Sequence, residues 1–355
     1  MRETARRAFV AALVVVSVVV AALVLWKLRL LLAALFLAFI IAAAMRPGVE
    51  ALRRRRIPRG IGILVHYAAL VAAVALLLSF VVPTAIDQIA EAVPTSTSEL
   101  ERATRESGGV KQQFLLAVQE RLEELPSRER VAERAFNPAL EITMTAFEVL
   151  VGVFFTLASA AYWIFERDRA VDLFTSLLAR PRRKKVRDTW DLIDAKLGAY
   201  VRGQLLLIVF VATVLSLSFW AIGLPFWLLL GIFAGVVEIV PVIGPLAAGT
   251  FAVGVGVTDS LQVAVLAGLV VLVVRLVEDY VVIPRVLGDA VGLTPLTVLV
   301  AVAGVTILFG GFAVLLAIPL AAVLATLVDV LVRHRDPAEQ DVPTVLFPAK
   351  DAEGR

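Results

Sequence analysis

The sequence predicts an all-α, polytopic membrane protein with about eight transmembrane helices plus one re-entrant or broken helical hairpin. Of its 355 residues, 60% are hydrophobic and 18% are charged, whereas soluble domains average about 45–50% and about 25%. Its mean hydropathy is +0.91, and a soluble fold could hold such a chain only by exposing large apolar patches. The charged residues also collect in short blocks between long apolar runs, a pattern typical of helices that cross a bilayer.

The N-terminal region, residues 1–83, is predicted to hold transmembrane helices 1–3. Its first apolar run covers 8–45 and is interrupted only by Lys27 and Arg29. One helix of that length would measure about 55 Å, against a hydrocarbon core of about 30 Å. We therefore predict two spans with a tight turn at 26–29. The following block, 46–60, carries six arginines, which places it and the N-terminus in the cytoplasm. A third span then follows at 61–82.

Residues 84–141 mix acidic and basic side chains and are predicted to form an extracytoplasmic amphipathic helical region, with a soluble binding subdomain as the alternative. The next region, 142–202, contains a fourth span at 142–165 and a second basic block at 180–187. An amphipathic helix that starts at Val186 is expected to lie in the membrane interface behind that block, with its apolar face either in lipid or against the helix bundle. The basic loops either bind anionic lipid headgroups or only determine the topology.

Residues 203–335 are predicted to form a C-terminal transmembrane transport core, followed by a disordered cytoplasmic tail at 336–355. Both ends of this core are basic, so an even number of crossings must connect them. The stretch 226–257 is interrupted by prolines and glycines. It is therefore either a re-entrant hairpin or one broken crossing, and the sequence leaves both alternatives open.

Glu238 lies inside that interrupted stretch. It stands about 18 Å along a helix from Phe226, close to the middle of a bilayer. A carboxylate there costs several kcal/mol unless it is paired, protonated or hydrated. Pro241, Gly244 and Pro245 follow within seven residues, and unwound backbone at membrane depth survives where it lines a cavity. Glu238 is therefore either part of a substrate or ion pathway, as in transporters with broken helices, or a structural brace for the break.

Arg275, Glu278 and Asp279 are spaced i, i+3 and i+4, so one helix face can hold a cation and two anions. The group is expected to form either a binding site or a clamp or gate. Gln204 opens the fifth span and either faces the pathway or bonds a neighbouring helix. The predicted gate or loop residues that follow are Pro284, Arg285 and Gly288.

Several function classes are disfavoured by what the sequence lacks. It has no cysteine and two histidines, so we expect no metal site and no cofactor. Walker A, H-E-x-x-H and G-x-S-x-G motifs do not occur in it, so it is not expected to be an enzyme or a nucleotide-driven pump. The basic residues flank spans rather than a folded face, which disfavours nucleic acid as a partner.

Several short segments resemble the AI-2E transporter family, also called PerM-like permeases, over nearly the whole chain. The segments are RPGVEAL at 46–52, YVRGQ at 200–204, GLP at 223–225, EIVPVIGP at 238–245, EDYVVIPRVLG at 278–288, GLTP at 292–295 and AIPL at 317–320. The resemblance implies a homo-oligomeric permease of the bacterial cell membrane. It also implies export of the quorum-sensing molecule autoinducer-2 or a related small metabolite, or sodium(lithium)/proton antiport.

Gradient-driven transport of a small solute, as a secondary transporter, is therefore the predicted function. The first alternative is a Na⁺(Li⁺)/H⁺ antiporter. The second is a membrane scaffold or lipid-interacting protein that transports nothing.

Overall fold

A computed structural model describes residues 2–92, 128–240, 243–286, 294–340, 342 and 345. Its helices are α1 Arg2–Lys27, α2 Arg29–Arg54, α3 Arg59–Ala92, α4 Arg128–Ser176, α5 Arg180–Ala221, α6 Trp227–Val237, α7 Ile243–Asp259, α8 Leu261–Val277, α9 Ile283–Val286, α10 Pro295–Phe309 and α11 Val314–Leu331, with a π-helical turn Glu278–Val282 and a 3₁₀ turn Gly311–Ala313. Within this described part, seven helical stretches are long and apolar enough to cross a membrane. The predicted polytopic helical fold class is confirmed. The amphipathic helix predicted near 110–125 lies outside the described residues.

Leu28 separates α1 from α2 inside the segment where a tight turn is predicted. Its N–H donates to the Val24 carbonyl at 2.9 Å, and its own carbonyl accepts from the Leu32 N–H at 2.9 Å. One residue therefore ends the first helix and begins the second. The stretch Phe9–Lys27 has no buried residue, so α1 does not pack back along α2 as a tight hairpin would. The Arg29 guanidinium lies 4.3 Å above the Trp26 ring.

Helix α3 also differs from the prediction, because it continues through Pro83 instead of ending there. A proline inside a helix removes one backbone donor and bends the helix. Near this proline, the Thr84 hydroxyl donates to the Phe80 carbonyl at 2.9 Å, a local bond of the kind that helps helices in membranes tolerate prolines. The prediction ended the helix at residue 82, about three turns before Ala92, because proline was taken as a helix end.

Helices α2 and α5 approach each other closely where α2 contains Pro47. Proline has no N–H, so the Ala43 carbonyl loses its usual intrahelical donor. Gly198 of α5 packs directly against that carbonyl, and a Cβ at this glycine would lie 2.5 Å from its oxygen. Beside it, Arg202 Nη1 donates to the Ala44 carbonyl at 3.2 Å. The absence of a side chain at Gly198 thus permits the contact between the two helices.

Gly198→Ala is therefore expected to destabilise the protein, although alanine favours helices over glycine by about 1 kcal/mol. The added methyl must displace backbone, and such overpacking typically costs about 1–3 kcal/mol. The measurement is thermal unfolding of the detergent-solubilised chain. Gly249→Ala is the matched control, since a Cβ there meets Val271 at an ordinary 3.5 Å. Equal melting temperatures for the two variants would contradict the prediction.

The described part of the C-terminal tail returns to the bundle. Lys196 Nζ donates to Gln340 Oε1 at 3.0 Å, and Arg202 Nε donates to the Val345 carbonyl at 2.8 Å. Val345 itself is buried. Part of the segment predicted to be a disordered tail therefore packs against α5. The cytoplasmic location of both termini and homo-oligomer formation stay predictions.

Helix α6 runs back along α5 after a tight turn between them. The turn contains Gly223 at φ 71° and Phe226 at φ 56°, and the left-handed region at Gly223 suits a residue without a Cβ. Gly231 then packs on Ser216 and Gly235 on Ala212. Residue numbers fall along α5 as they rise along α6, so the two helices are antiparallel.

Helix α7 reverses direction again and lies beside α6. The rings of Phe233 and Phe251 pack edge to face with centroids 5.2 Å apart. At the far end of α7, Gly256 packs against the backbone of Ala264 on α8, so α8 follows as the next antiparallel helix. Of the two alternatives for 226–257, the structure has a helical hairpin and not one broken crossing, and the hairpin tip follows Glu238.

Candidate functional site

The tip of the hairpin brings Glu238 beside Gln204 of α5. Glu238 is the residue that ends α6, and it is 6% exposed. Gln204 Nε2 donates to the Glu238 main-chain carbonyl at 3.2 Å. Helix ends leave carbonyls without intrahelical donors, and this amide supplies one. Gln204 begins the apolar part of α5, so Glu238 lies level with one end of that part. The sequence had suggested a position near its middle.

The reversal after Glu238 depends on two residues of the predicted break. A Cβ on Gly244 would collide with the Val237 carbonyl, so glycine allows the two arms of the hairpin to meet. Pro245 lies in the first turn of α7, where the missing N–H of proline costs no helical hydrogen bond. Pro241 lies outside the described residues. Gly244 and Pro245 therefore permit the sharp reversal that positions Glu238.

Arg275 joins the hairpin tip to the end of α8. Its Nη1 lies 3.0 Å from Glu238 Oε1 and 3.2 Å from Glu278 Oε2. Its Nη2 lies 2.9 Å from Asp279 Oδ1. The bonds to Glu278 and Asp279 follow from their i+3 and i+4 positions, whereas the bond to Glu238 spans 37 residues. We call Glu238, Arg275, Glu278 and Asp279 the tip cluster.

The tip cluster contains more negative than positive groups. One guanidinium faces three carboxylates, so with every group ionised its charge would be +1 − 3 = −2. Glu278 is 2% exposed, and its Oε1 has no hydrogen-bond partner in the part of the chain that the structure describes. Buried carboxylates are costly unless they are neutralised. The arrangement is therefore suited to taking up a proton.

The predicted gate residues are not in this cluster. Pro284 and Arg285 lie on α9 and are both exposed, and Gly288 lies outside the described residues. Between them and Arg275, the π-helical turn Glu278–Val282 widens the helix, a feature that is frequent at functional sites. Whether these residues form a gate stays a prediction.

A second ion cluster, which the sequence did not predict, ties α2, α4 and α5 together beside the basic blocks. Arg167 of α4 is buried, and its Nε donates to Asp194 Oδ2 at 2.8 Å. The same guanidinium also contacts Asp191. Arg46 Nη1 approaches Asp194 from α2 at 3.3 Å. The amphipathic stretch after the second basic block was expected to place its apolar face in lipid or against the bundle, but its spacing contained no signal for these ion pairs.

That stretch is the first part of α5, and its apolar face lies against other helices. Trp190 stacks on Trp163 of α4 with centroids 6.0 Å apart and meets Phe39 of α2 edge to face at 6.3 Å. Leu197 is fully buried. This face therefore belongs to the bundle, and the ion pairs of Asp191 and Asp194 flank it.

Comparison with known proteins places this architecture in a family. The model of the AI-2E family transporters matches residues 13–333. The chain belongs to the AI-2E transporter family. All four residues of the tip cluster lie inside the matched range. The family is one of transporters and not a class of enzymes, and the chain is a multi-pass membrane protein of that family.

Similar proteins of this family occur in distant bacteria, and each is named as a candidate transport protein. YrrI of Bacillus subtilis is 26% identical over 58% of the chain and 60% of YrrI. YueF of the same organism is 36% identical over 38% of the chain and 36% of YueF. MT0215 of Mycobacterium tuberculosis is 24% identical over 93% of the chain and 91% of MT0215. The chain thus aligns with less than two thirds of YrrI and YueF, but with most of MT0215.

Proposed function

We propose that this AI-2E family member is a secondary transporter that moves a small solute across the bacterial cell membrane, driven by an ion gradient. An autoinducer-2-like signalling molecule or a related small metabolite is the proposed cargo, on the strength of the family. The single observation that carries gradient coupling is the pair of buried carboxylates, Glu238 and Glu278, on one guanidinium. A membrane anchor has no need of such a group, and buried ionisable residues of membrane proteins commonly mark ion pathways.

The position of the tip cluster supplies a coupling mechanism. Arg275 connects the hairpin tip to α8, and apolar residues of these two elements also pack together. When a proton or cation neutralises Glu238, the attraction between Glu238 and Arg275 weakens, and Glu278 and Asp279 retain the guanidinium. The hairpin tip is then free to move relative to α8. Uptake of the coupling ion on one side and its release on the other would alternate these two states.

The test is flux into proteoliposomes that contain the purified chain. Labelled autoinducer-2 is added with an imposed pH gradient, with a sodium gradient, or with neither. We expect uptake above that of protein-free vesicles in one of the gradient conditions, and its loss when an ionophore collapses the gradient. Uptake that is unchanged by the ionophore would contradict gradient coupling while leaving facilitated transport in place.

Na⁺(Li⁺)/H⁺ antiport is the second candidate, and the surplus of carboxylates in the tip cluster favours it. A site with a formal charge of −2 can exchange protons for small monovalent cations without an organic cargo. A pH-sensitive dye inside the vesicles should report proton movement after a sodium or lithium pulse. Proton movement without autoinducer-2 uptake would select the antiporter, and the absence of both fluxes would favour the scaffold alternative.

A further inference from the structure

The end of α2 and the start of α3 enclose a crevice beside the first basic block. Its volume is about 300 Å³, and it is lined by Gly48, Ala51, Leu52, Arg55 and His66. The floor is apolar and the rim carries a guanidinium and an imidazole. His66 Nδ1 donates to the Gly62 carbonyl at 2.7 Å, which orients the ring. A Cβ at Gly48 would collide with that ring, so the glycine makes room for it.

The arginines of the first basic block differ in their ion-pair contacts. Arg53 pairs with Glu50 at 2.8 Å, and Arg59 lies 3.7 Å from Glu50 and 3.6 Å from Asp168. Arg55 and Arg56 are exposed, as Arg53 is, and Arg55 lines the crevice. In the second basic block, Arg183 donates to the Ser176 and Leu178 carbonyls, and Arg187 contacts Asp172. Arg55 therefore places an exposed guanidinium directly at the crevice.

Arg56 has a backbone conformation that its side chain does not favour. Helix α2 ends with Arg56 N–H donating to the Arg53 carbonyl at 2.8 Å and Ile57 N–H donating to the Leu52 carbonyl at 3.2 Å. This is the pattern of a helix end that usually has glycine at the left-handed position. Arg56 occupies that position at φ 66°, where a side chain costs about 1–2 kcal/mol. The charge is thus present in the loop despite a local energetic cost.

The crevice opens onto an apolar surface of α3. Leu70 and Leu77 follow His66 at i+4 and i+11, on one stripe of the helix. Both leucines are 50% exposed. The arginines at the start of the stripe lie where the apolar span begins, at the depth of lipid headgroups. The surface therefore offers cations at headgroup depth and, directly beyond them, an apolar track for acyl chains.

We propose that the crevice formed by Gly48, Ala51, Leu52, Arg55 and His66 binds one anionic phospholipid, with the phosphodiester against Arg55 and the acyl chains along Leu70 and Leu77. Arginine suits the phosphate because its planar group donates two parallel hydrogen bonds. The apolar stripe selects a lipid over a free phosphate. The site is separate from the tip cluster and does not depend on which solute the protein moves.

Photocrosslinking of the full-length chain in phosphatidylcholine vesicles tests this proposal. The vesicles contain a minor share of photoreactive phosphatidylglycerol or, separately, photoreactive phosphatidylcholine, and the adducts are mapped by mass spectrometry. We expect the anionic probe to label the end of α2 and the start of α3 at least about fivefold more than the zwitterionic probe. Equal labelling by the two probes would overturn the proposal.

Three variants separate a built site from general attraction to basic residues. Arg55→Gln should reduce the phosphatidylglycerol adduct about fivefold, whereas Arg182→Gln, an exposed arginine of the second block, should leave it unchanged. Ala51→Leu keeps every charge but fills the crevice, and should also reduce the adduct. The proposal fails if Arg182→Gln matches Arg55→Gln, if Ala51→Leu has no effect, or if millimolar inorganic phosphate abolishes labelling. Size-exclusion profiles verify that all three variants fold.

Discussion

Replacing Glu238 by glutamine is expected to reduce gradient-coupled flux at least about tenfold while leaving the protein folded. The amide has nearly the size of the carboxylate and can still accept a hydrogen bond from Arg275, 3.0 Å away. It cannot exchange a proton or balance a cation. Because the exchangeable charge is lost, the coupling step should slow by at least about tenfold, which corresponds to about 1.4 kcal/mol in its barrier. The measurement is the proteoliposome assay described above.

Glu148→Gln is the matched control for this substitution. Glu148 is an exposed carboxylate at the start of the apolar part of α4, remote from the tip cluster in sequence and in the fold. It should retain flux close to that of the unmodified chain. Unimpaired flux in Glu238→Gln would remove Glu238 from the mechanism, and a loss in both variants would indicate general damage to the membrane helices.

The second large effect is expected from Arg275→Ala, which should sharply reduce the yield of folded protein. Removing the guanidinium leaves Glu238, Glu278 and Asp279 close together with no cation between them. Loss of one partner from a buried ion pair costs about 3–5 kcal/mol because the remaining charge has no compensation. Thermal unfolding and the monodisperse fraction after solubilisation measure this loss.

The double variant Arg275→Ala with Glu278→Ala should be more stable than Arg275→Ala alone. Removing Glu278, which is 2% exposed, takes away one of the repelling carboxylates. Strictly additive losses would show that the two residues do not interact. Arg285→Ala provides a control for the loss of an arginine, because Arg285 is exposed on α9 and surface substitutions usually change stability by less than about 0.5 kcal/mol.

The ion pairs show how far the sequence could predict the candidate site. The contacts of Arg275 with Glu278 and Asp279 depend only on helical spacing, and the sequence predicted them. The contact with Glu238 depends on the path of the chain between them, and the sequence did not contain a local signal for it. The Arg167–Asp194 pair was missed for the same reason, since it joins two helices through packing.

The sequence by itself determined the membrane class, most of the helices and the location of the broken segment. These properties depend on the length of apolar runs and on proline and glycine, which act within a few residues of the chain. Only the tertiary structure decided that the broken segment turns back as a hairpin, because close packing of Gly231 on Ser216 and of Phe233 on Phe251 lies between distant residues. The same packing brings Glu238 next to Arg275. A carboxylate buried at this position needs a counter-charge, and here another helix supplies it.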